Sequence, residues 1–315
     1  MRQLTVVVTI YKVADYLKRC WDSILSQTFT DFYAFLVVGA TDDACIQICN
    51  QYVEKDSRFV MVVSEPRGLS DARNVGIQRT TTEYITVGDG DDYRVDPAFE
   101  TLMERLHDCD IVIGNYLVDA DGKTTKAEDN FREGFYSKQD ALVCFLNGHG
   151  IQFVVTWGKI YRTSLFTKNA VLYPLGKLHE DNLTTYKLLY HAKKISYVNT
   201  PVYVYVTRAD SLSCNEDINK EKVIVQDIPN LREYLKPIIG LTENIDAYEV
   251  RVVACYMRRL AKSSSDNYAE YLRCVNKLKG MRIQNSQYLR VRMKMLCAVM
   301  VKMPQLSFWL LKIKI

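Results

Sequence analysis

Short apolar runs alternate with amphipathic segments up to about residue 115, and this alternation constrains the fold more than any other feature. The apolar runs, each a predicted strand, are residues 4–10, 32–38, 59–63, 84–87 and 109–114. Between the first four runs, apolar residues recur at helical spacing over 15–26, 43–54 and 68–79. Strands joined by helices pair in parallel, and nearly continuous apolar strands are typical of sheets covered on both faces. We therefore predict an α/β fold with a doubly wound, mostly parallel sheet.

The pattern changes in the middle of the chain. The Asp121-Gly122 pair lies in a polar stretch and predicts a hairpin turn. Ser137 is a predicted cap for a helix over 137–146, and residues 197–206 alternate aromatic and β-branched side chains as strands do.

From residue 217 onward the spacing of apolar residues is almost wholly helical. Breaks are predicted at residues 237–240 and at Pro304. We therefore predict a catalytic α/β domain over 1–213 and a helical region over 214–315.

Cysteine usage and the N-terminal residues bear on the compartment. The nine cysteines include no C-x-x-C pair, which disfavours a disulfide framework or a zinc ribbon. Cys45 and Cys49 lie four residues apart on a predicted helix, where buried thiols are expected. The apolar stretch at 4–10 is too short for a signal peptide, and no apolar run approaches the ~20 residues of a membrane span. We expect a cytoplasmic protein.

Three carboxylates stand in four residues directly after the predicted strand at 84–87. They belong to Asp89, Asp91 and Asp92. Ligands of open α/β sheets bind at the carboxyl ends of the strands, and clustered carboxylates repel one another unless a cation lies between them. Hard oxygen ligands suit Mg²⁺ or Mn²⁺, typically together with substrate phosphates. The cluster predicts a metal that carries a diphosphate, and a solvated acidic turn is the alternative.

Several other chemistries lack their sequence signatures. No G-x-G-x-x-G follows the first strand, and no G-x-x-x-x-G-K-[ST] occurs, which disfavours nicotinamide-dependent and P-loop enzymes. Neither H-E-x-x-H nor G-x-S-x-G is present, and the four histidines are dispersed.

Collinear segments over residues 4–213 resemble the motifs of inverting family-2 glycosyltransferases, which build bacterial surface polysaccharides. The segments are TIYK (9–12), SILSQT (23–28), GLSDARNVG (68–76), DGDD (89–92), WGKIYRTSLF (157–166), ED (180–181) and YVYVTRADS (203–211). The resemblance implies a GT-A fold with a Rossmann-like nucleotide-binding half. It also implies transfer of a sugar from a nucleoside-diphosphate sugar to a saccharide or lipid-linked acceptor.

The resemblance further implies roles for individual residues. Donor binding falls to Thr9, Tyr11, Gly39, Arg73, Asp89 and Arg208, acceptor binding to Trp157 and Lys159, and Mg²⁺ or Mn²⁺ to Asp91 with Asp89. The general base is Asp181, with Glu180 as the adjacent alternative. From the residues alone, Glu180 and Asp181 could instead be a favourable charge pair in a helix first turn. Similarly, Arg73 could form a structural salt bridge, and Trp157 could belong to the core.

One segment departs from the family pattern. Family members carry D-D-G-S-T-D after the second strand, and its second aspartate usually contacts uracil. An ungapped match places VGATDD (38–43) there, so Gly39 stands in the position of that aspartate. A slipped loop would bring Asp42 or Asp43 into the role. We therefore expect weak uracil selectivity or a donor with another base.

Two other functions stay open, and this departure favours the first of them. One is a catalytically weak or inactive family member that binds a sugar nucleotide or acts as a scaffold. The other is a nucleotidyltransferase, although residues 11–14 lack the Gly-rich basic loop that this class generally needs.

The C-terminal tail is strongly basic. Residues 271–315 contain ten Lys or Arg and no acidic residue, so residues 1–270 carry a net charge of −6 within the chain total of +4. Bulky apolar residues, including Trp309, lie among these basic ones. This mixture suits an anionic membrane surface better than nucleic acid, and it predicts a peripheral location at the inner face of the cell membrane. Helices packed on the body with their lysines in solvent are the alternative.

Overall fold

The computed structural model describes residues 2–40, 42–65, 67–128, 130–148, 150–208 and 217–312. The chain forms two compact units, Met1–Leu142 with His149–Leu212 and Val143–Gly148 with Ser213–Ile315. The predicted domain boundary at residue 213 lies outside the described residues. The assignment of catalysis to residues 1–213 stays a prediction.

The first unit begins with four strands joined by three helices. They are β1 (Leu4–Ile10), α1 (Ala14–Leu25), β2 (Phe32–Gly39), α2 (Asp43–Lys55), β3 (Phe59–Ser64), α3 (Leu69–Arg79) and β4 (Tyr84–Asp89). Every predicted element is present here. Cys45 and Cys49 are both buried on α2, as predicted.

The remainder of the first unit is more irregular. Its elements are β5 (Tyr93–Arg94), α4 (Ala98–Met103), β6 (Ile111–Ala120), β7 (Lys123–Lys126), β8 (Gly134–Ser137), α5 (Lys138–Asn147), β9 (Lys159–Arg162), α6 (Ser164–Thr167), α7 (Glu180–His191) and β10 (Lys194–Thr207). The part of α5 from Val143 onward belongs to the second unit. The predicted hairpin turn joins β6 to β7, with positive φ at both Asp121 and Gly122. The hydroxyl of Ser137 accepts a hydrogen bond from the backbone of Asp140, which confirms the predicted cap of α5.

All ten strands form one sheet in the order β3-β2-β1-β4-β9-β6-β10-β5, with β7 beside β6 and β8 beside β10. Strands β1 to β4 are parallel, and so are β6 and β10, as predicted for a mostly parallel sheet. Strand β9 runs antiparallel between β4 and β6. Chain order reverses between β1 and β4, where Thr9 is in register with Asp89. Ligands of doubly wound sheets bind at such a switch point.

Helices cover both faces around β1 because its side chains alternate. Val6 and Val8 share a buried cluster with Leu17 and Trp21 of α1. Val7 faces the other way, against Gly76 of α3. Because apolar side chains cover both faces of the sheet around β1, we expect the polar groups of a functional site at the carboxyl ends of the strands.

The second unit is helical, as predicted. Its elements beyond residue 216 are α8 (Asn219–Leu235), α9 (Thr242–Ser263), α10 (Tyr268–Lys279), α11 (Val291–Lys302) and α12 (Pro304–Leu310). The predicted breaks separate α8 from α9 and α11 from α12. Its own core contains Val253, Met257 and Tyr271. Within the described part of the chain, no helix combines the length and hydropathy that a bilayer crossing requires.

Candidate functional site

Asp89 ends β4 and is held by hydrogen bonds to two other strands. The Thr9 hydroxyl on β1 donates a hydrogen bond to Asp89 Oδ1 over 3.0 Å. The backbone N–H of Asp89 donates to the Tyr203 hydroxyl on β10 over 3.1 Å. Because β1 and β4 are neighbours at the switch point, these contacts fix one carboxylate at the edge where a donor would bind.

Asp92 has a structural role. It is 2% exposed, and its two carboxylate oxygens accept hydrogen bonds from the Tyr203 hydroxyl and the Val206 backbone, each over 2.8 Å. These bonds tie the turn after β4 to β10. Of the three clustered carboxylates, only Asp89 and Asp91 therefore retain exposed side-chain surface for a ligand.

Asp91 pairs with an arginine at the end of β10. Arg208 Nη2 lies 2.7 Å from Asp91 Oδ2, and the guanidinium lies over the ring of Tyr16. Burial, together with the charge of Asp89, raises the pKa of Asp91 above its ordinary value. Ser211, the last residue of the resembling segment, lies outside the described residues.

Arg73 of α3 connects the acidic cluster to the two candidate bases. Its guanidinium is 2% exposed and lies 3.0 Å from Asp89 Oδ1, 3.2 Å from Asp181 Oδ1 and in close contact with Glu180 Oε1. The sequence left a choice between a phosphate partner and carboxylate partners, and the structure shows three carboxylates. The next residue, Asn74, holds the backbone of Tyr173 through two hydrogen bonds of 2.8 Å.

Glu180 and Asp181 open α7, but their surroundings differ. Asp181 Oδ1 also accepts a hydrogen bond from the Thr156 hydroxyl, which in turn shares a hydrogen bond of 2.8 Å with the Tyr173 hydroxyl. Glu180 is 8% exposed. Burial raises its pKa and Asp181 adds to the rise, which Arg73 opposes only in part.

The residues nearest the departure from the family pattern lie at the ends of β1 and β2. Tyr11 is exposed, and the Lys12 backbone N–H donates to Asp42 Oδ2 over 2.6 Å. Asp42 Oδ1 also caps α2 by accepting from the Cys45 backbone. Gly39 ends β2, and a Cβ added there would meet no atom within 4 Å.

The two predicted acceptor residues lie in the interior. Trp157 is 6% exposed and stacks on Tyr203 and Tyr205, with ring centroids 4.7 and 5.8 Å away. Lys159 is fully buried, and its ammonium group donates to the backbone carbonyls of Val155 and Trp157. Burial lowers the pKa of Lys159 to about 7. Their acceptor roles stay predictions, and this geometry favours support of the site over direct contact.

The carboxylates also bear on metal binding. No group of three or more His, Cys, Asp or Glu in the described ranges is arranged to hold a metal. Asp89 and Asp91 instead offer hard oxygen donors. Burial and, after it, the charge of Asp89 raise the pKa of Asp91, and a bound cation would offset both effects. Such a pair fits Mg²⁺ or Mn²⁺ brought in with a diphosphate better than a metal in an all-protein cage.

Sequence reasoning missed the residues that orient the site. Thr156 holds Asp181, Tyr173 holds Thr156, and Tyr203 links Asp89 to Asp92. Thr156 carried no signal, since a lone threonine before Trp157 is unremarkable. The alternating tyrosines of 197–206 indicated a strand but not which hydroxyl would reach the acidic cluster.

Comparisons with known proteins agree with this architecture. The family model described as glycosyl transferase family 2 matches residues 5–168. The chain is 31% identical over 220 residues to the glycosyltransferase GlyA of Streptococcus pneumoniae, covering 67% of this chain and 31% of GlyA. It is 28% identical over 216 residues to the putative glycosyltransferase EpsH of Bacillus subtilis, covering 66% of this chain and 62% of EpsH. The chain thus spans less than two thirds of either relative.

Structural comparison supports the fold. The crystal structure of Staphylococcus aureus TarS 1–349 in complex with UDP-GlcNAc superposes with a TM-score of 0.73 and 15% identity. The match covers 98% of this chain and 90% of that one. The predicted GT-A fold is confirmed, and the chain belongs to glycosyl transferase family 2.

Proposed function

We propose that this protein transfers a sugar, with inversion, from a nucleoside-diphosphate sugar to an acceptor hydroxyl in cell-surface polysaccharide synthesis. The observation that carries the proposal is the position of Arg73. One buried guanidinium joins Asp89, at the switch point of the sheet, to Glu180 and Asp181, the candidate bases. Donor-side and acceptor-side chemistry are thereby held within one network. Such pre-organisation is what a displacement at a sugar carbon needs.

The donor side is built from the ends of β1, β4 and β10. Thr9 donates a hydrogen bond to Asp89, the exposed Tyr11 follows the end of β1, and Arg208 supplies a cation for the diphosphate. A relative in fold, TarS, has been crystallised with UDP-GlcNAc, so a UDP-sugar is the first donor to test. Because the space at Gly39 is open, we expect the site to discriminate only weakly between the nucleobases of possible donors.

Asp91, with Asp89, would hold Mg²⁺ or Mn²⁺. Bound there, the metal would neutralise negative charge as it develops on the leaving diphosphate. In this structure Arg208 pairs with Asp91 Oδ2, so a metal would share this carboxylate with the guanidinium.

Asp181 is the better candidate for the general base. It is more exposed than Glu180, and Thr156 and Arg73 both hold the same oxygen, Oδ1. The second oxygen is therefore the one that takes the proton from the acceptor hydroxyl. Glu180 is in close contact with Arg73 and is more buried than Asp181.

The acceptor is a saccharide or a lipid-linked saccharide. Trp157 and Lys159 lie beneath the site and would shape the acceptor side through the loop at 151–158. A lipid-linked acceptor is consistent with a peripheral position at the inner membrane face, which the basic C-terminal helices favour.

The test is a panel of UDP-, GDP- and dTDP-sugars, each with and without Mn²⁺. Thermal shift reports binding, and release of the nucleoside diphosphate reports turnover. We expect metal-dependent stabilisation by nucleoside diphosphates without strong selectivity for uracil, and loss of turnover in Asp91→Ala with little change in unfolding temperature. Asp181→Asn should retain binding and lose about 10²–10⁴ in rate.

Two results would contradict the proposal. One is the absence of stabilisation by every nucleoside diphosphate in Mn²⁺, and the other is full activity in Asp91→Ala. A larger rate defect in Glu180→Gln than in Asp181→Asn would exchange the roles of the two carboxylates.

A further inference from the structure

The outer side of the last two helices is apolar. Seven large side chains there are exposed, and we call them the α11–α12 surface: Val291, Met295, Val299, Met303, Leu306, Trp309 and Leu310. The first three recur every four residues and so share one face of α11. Met295 is 64% exposed and Trp309 is 61% exposed. Such a concentration of exposed apolar side chains marks an interaction site.

The packing of these helices does not need that surface. Their inner side is already apolar and buried, through Cys297, Met300 and Phe308. Phe308 contacts the rings of Tyr268 and Tyr271 at 5.0 Å each. Each helix therefore has a packed inner face and a second apolar face where a soluble protein normally places polar residues.

Basic residues alternate in the sequence with the apolar residues of the α11–α12 surface or lie next to them. They are Arg290, Arg292, Lys294, Lys302 and Lys312, and the sequence from 271 onward has no acidic residue. A partner for this surface must therefore be apolar in its interior and anionic at its face. Two copies of the chain meeting through it would bring like charges together, which is unfavourable.

We propose that the α11–α12 surface docks on an anionic lipid bilayer, with its apolar side chains in the interface and its basic ones among the headgroups. The helices would lie in the membrane plane, as amphipathic basic helices with Trp and Leu do. This deepens the proposed function by naming the surface that holds the enzyme near a lipid-linked acceptor.

The experiment uses the full-length protein with vesicles of phosphatidylcholine alone or mixed with phosphatidylglycerol. Co-sedimentation measures partition, and tryptophan emission reports insertion. Trp21 and Trp157 are buried, so a blue shift on vesicle addition reports Trp309. We expect binding and a blue shift with the anionic vesicles only, both decreasing with salt.

Variants separate the apolar and charged contributions. Met295→Ser with Trp309→Ser should weaken partition by more than about tenfold, because two exposed apolar side chains no longer enter the interface. Lys302→Glu should weaken it about fivefold or more. Ile239→Ser is the matched control, since Ile239 is 91% exposed in the same unit but lies between α8 and α9. It should leave partition unchanged.

Three outcomes would overturn the proposal. They are no binding to anionic vesicles at low salt, equal binding to neutral vesicles, and a dimer without lipid that Met295→Ser with Trp309→Ser abolishes. Circular dichroism melts verify that each variant is folded. Nucleotide binding is measured on the same samples, so failure of the membrane proposal and failure of the transferase proposal give different results.

Discussion

At the scale of single residues, the site is governed by Arg73. A buried arginine between three carboxylates is costly unless its hydrogen bonds are well formed. Here it contacts Asp89, Glu180 and Asp181 together. Replacing Arg73 would leave three acidic side chains facing one another. We therefore propose that Arg73 is a positioning residue, which would affect catalysis through the carboxylates that it holds.

Gly39→Asp should raise selectivity for uracil. The family pattern has an aspartate at this position, and a Cβ added at Gly39 meets no atom within 4 Å, so the backbone accepts a side chain there without a clash at Cβ. A base-edge hydrogen bond discriminates by about 1–3 kcal/mol. We expect UDP to bind about 5- to 150-fold more tightly relative to GDP, measured by calorimetry with Mn²⁺. Gly39→Ala is the control, and equal ratios in both variants would contradict the prediction.

Lys159 should make stability depend on pH. Burial lowers its folded pKa to about 7 from an ordinary 10.5, so between these values the unfolded chain binds a proton that the folded chain lacks. Stability therefore rises with pH in this window, by up to about 1.4 kcal/mol per unit. Burial raises the pKa of the Cys20 and Cys49 thiols, so at higher pH they ionise in the unfolded chain first and lower the stability. The comparison is therefore best made from pH 7 to 8.5.

The measurement is the urea unfolding free energy of the wild type and of Lys159→Met across that range. The difference in free energy should grow in favour of the wild type as pH rises, since methionine does not titrate. A difference that is constant with pH would show that Lys159 stays charged in the folded state.

At the scale of elements, α3 approaches β1 more closely than a side chain would allow. A Cβ at Gly76 would overlap the side chain of Val7. This close approach brings Arg73, one turn earlier on α3, to the carboxyl edge of the sheet. Gly76→Ala should therefore destabilise the protein by about 1–3 kcal/mol through overpacking.

Val7→Ala should reverse that effect. Shortening Val7 removes the two nearest contacts of the new Cβ and leaves Val37 Cγ2 at 3.3 Å, which a small shift accommodates. The alanine then retains its helix propensity, which is about 1 kcal/mol better than glycine. In this background Gly76→Ala should be neutral or stabilising, measured by a double-mutant cycle of unfolding free energies. Additive free energies would mean that α3 and β1 do not meet at these two residues.

At the scale of the whole molecule, two units each have a core of their own. In the helical unit, Glu249 of α9 is 5% exposed and pairs with Arg232 of α8 at 2.5 Å and with Lys277 of α10 at 2.7 Å. Burial alone would raise the pKa of Glu249, but hydrogen bonds from Lys277 and Arg232 outweigh it and hold the pKa below its ordinary value. This carboxylate ties three helices together.

Glu249→Gln should lower the unfolding free energy by about 1.5–3 kcal/mol at pH 7, because charge-assisted hydrogen bonds are lost. A lowered carboxyl pKa stabilises above its ordinary value of 4.5, and this contribution is lost as pH falls through the folded pKa. The difference between variant and wild type should therefore shrink at pH 4. Nucleotide binding by the folded variant is expected to be unchanged at pH 7. An equal loss of stability at both pH values would contradict the assignment.

The sequence by itself determined the order and type of most elements. Strand and helix periods are local properties, so β1 to β4, α1 to α3 and the breaks at 237–240 and Pro304 could be predicted from spacing alone. Collinear motifs then indicated the family and the edge of the sheet where the site lies. The short antiparallel strand β9 was not predicted, because four residues are too few to show a periodic pattern.

Only the tertiary structure decided which of these residues meet. Arg73 and Glu180 are 107 positions apart, and their contact depends on how the fold brings α3 and the start of α7 together. Tertiary contacts also distinguish Asp92, which is hydrogen-bonded to β10, from Asp91, which retains exposed surface. They bury Lys159 as well. They also leave one apolar face of α11 and α12 outside. Sequence periodicity shows that a face is apolar, but burial depends on what the rest of the chain places against it.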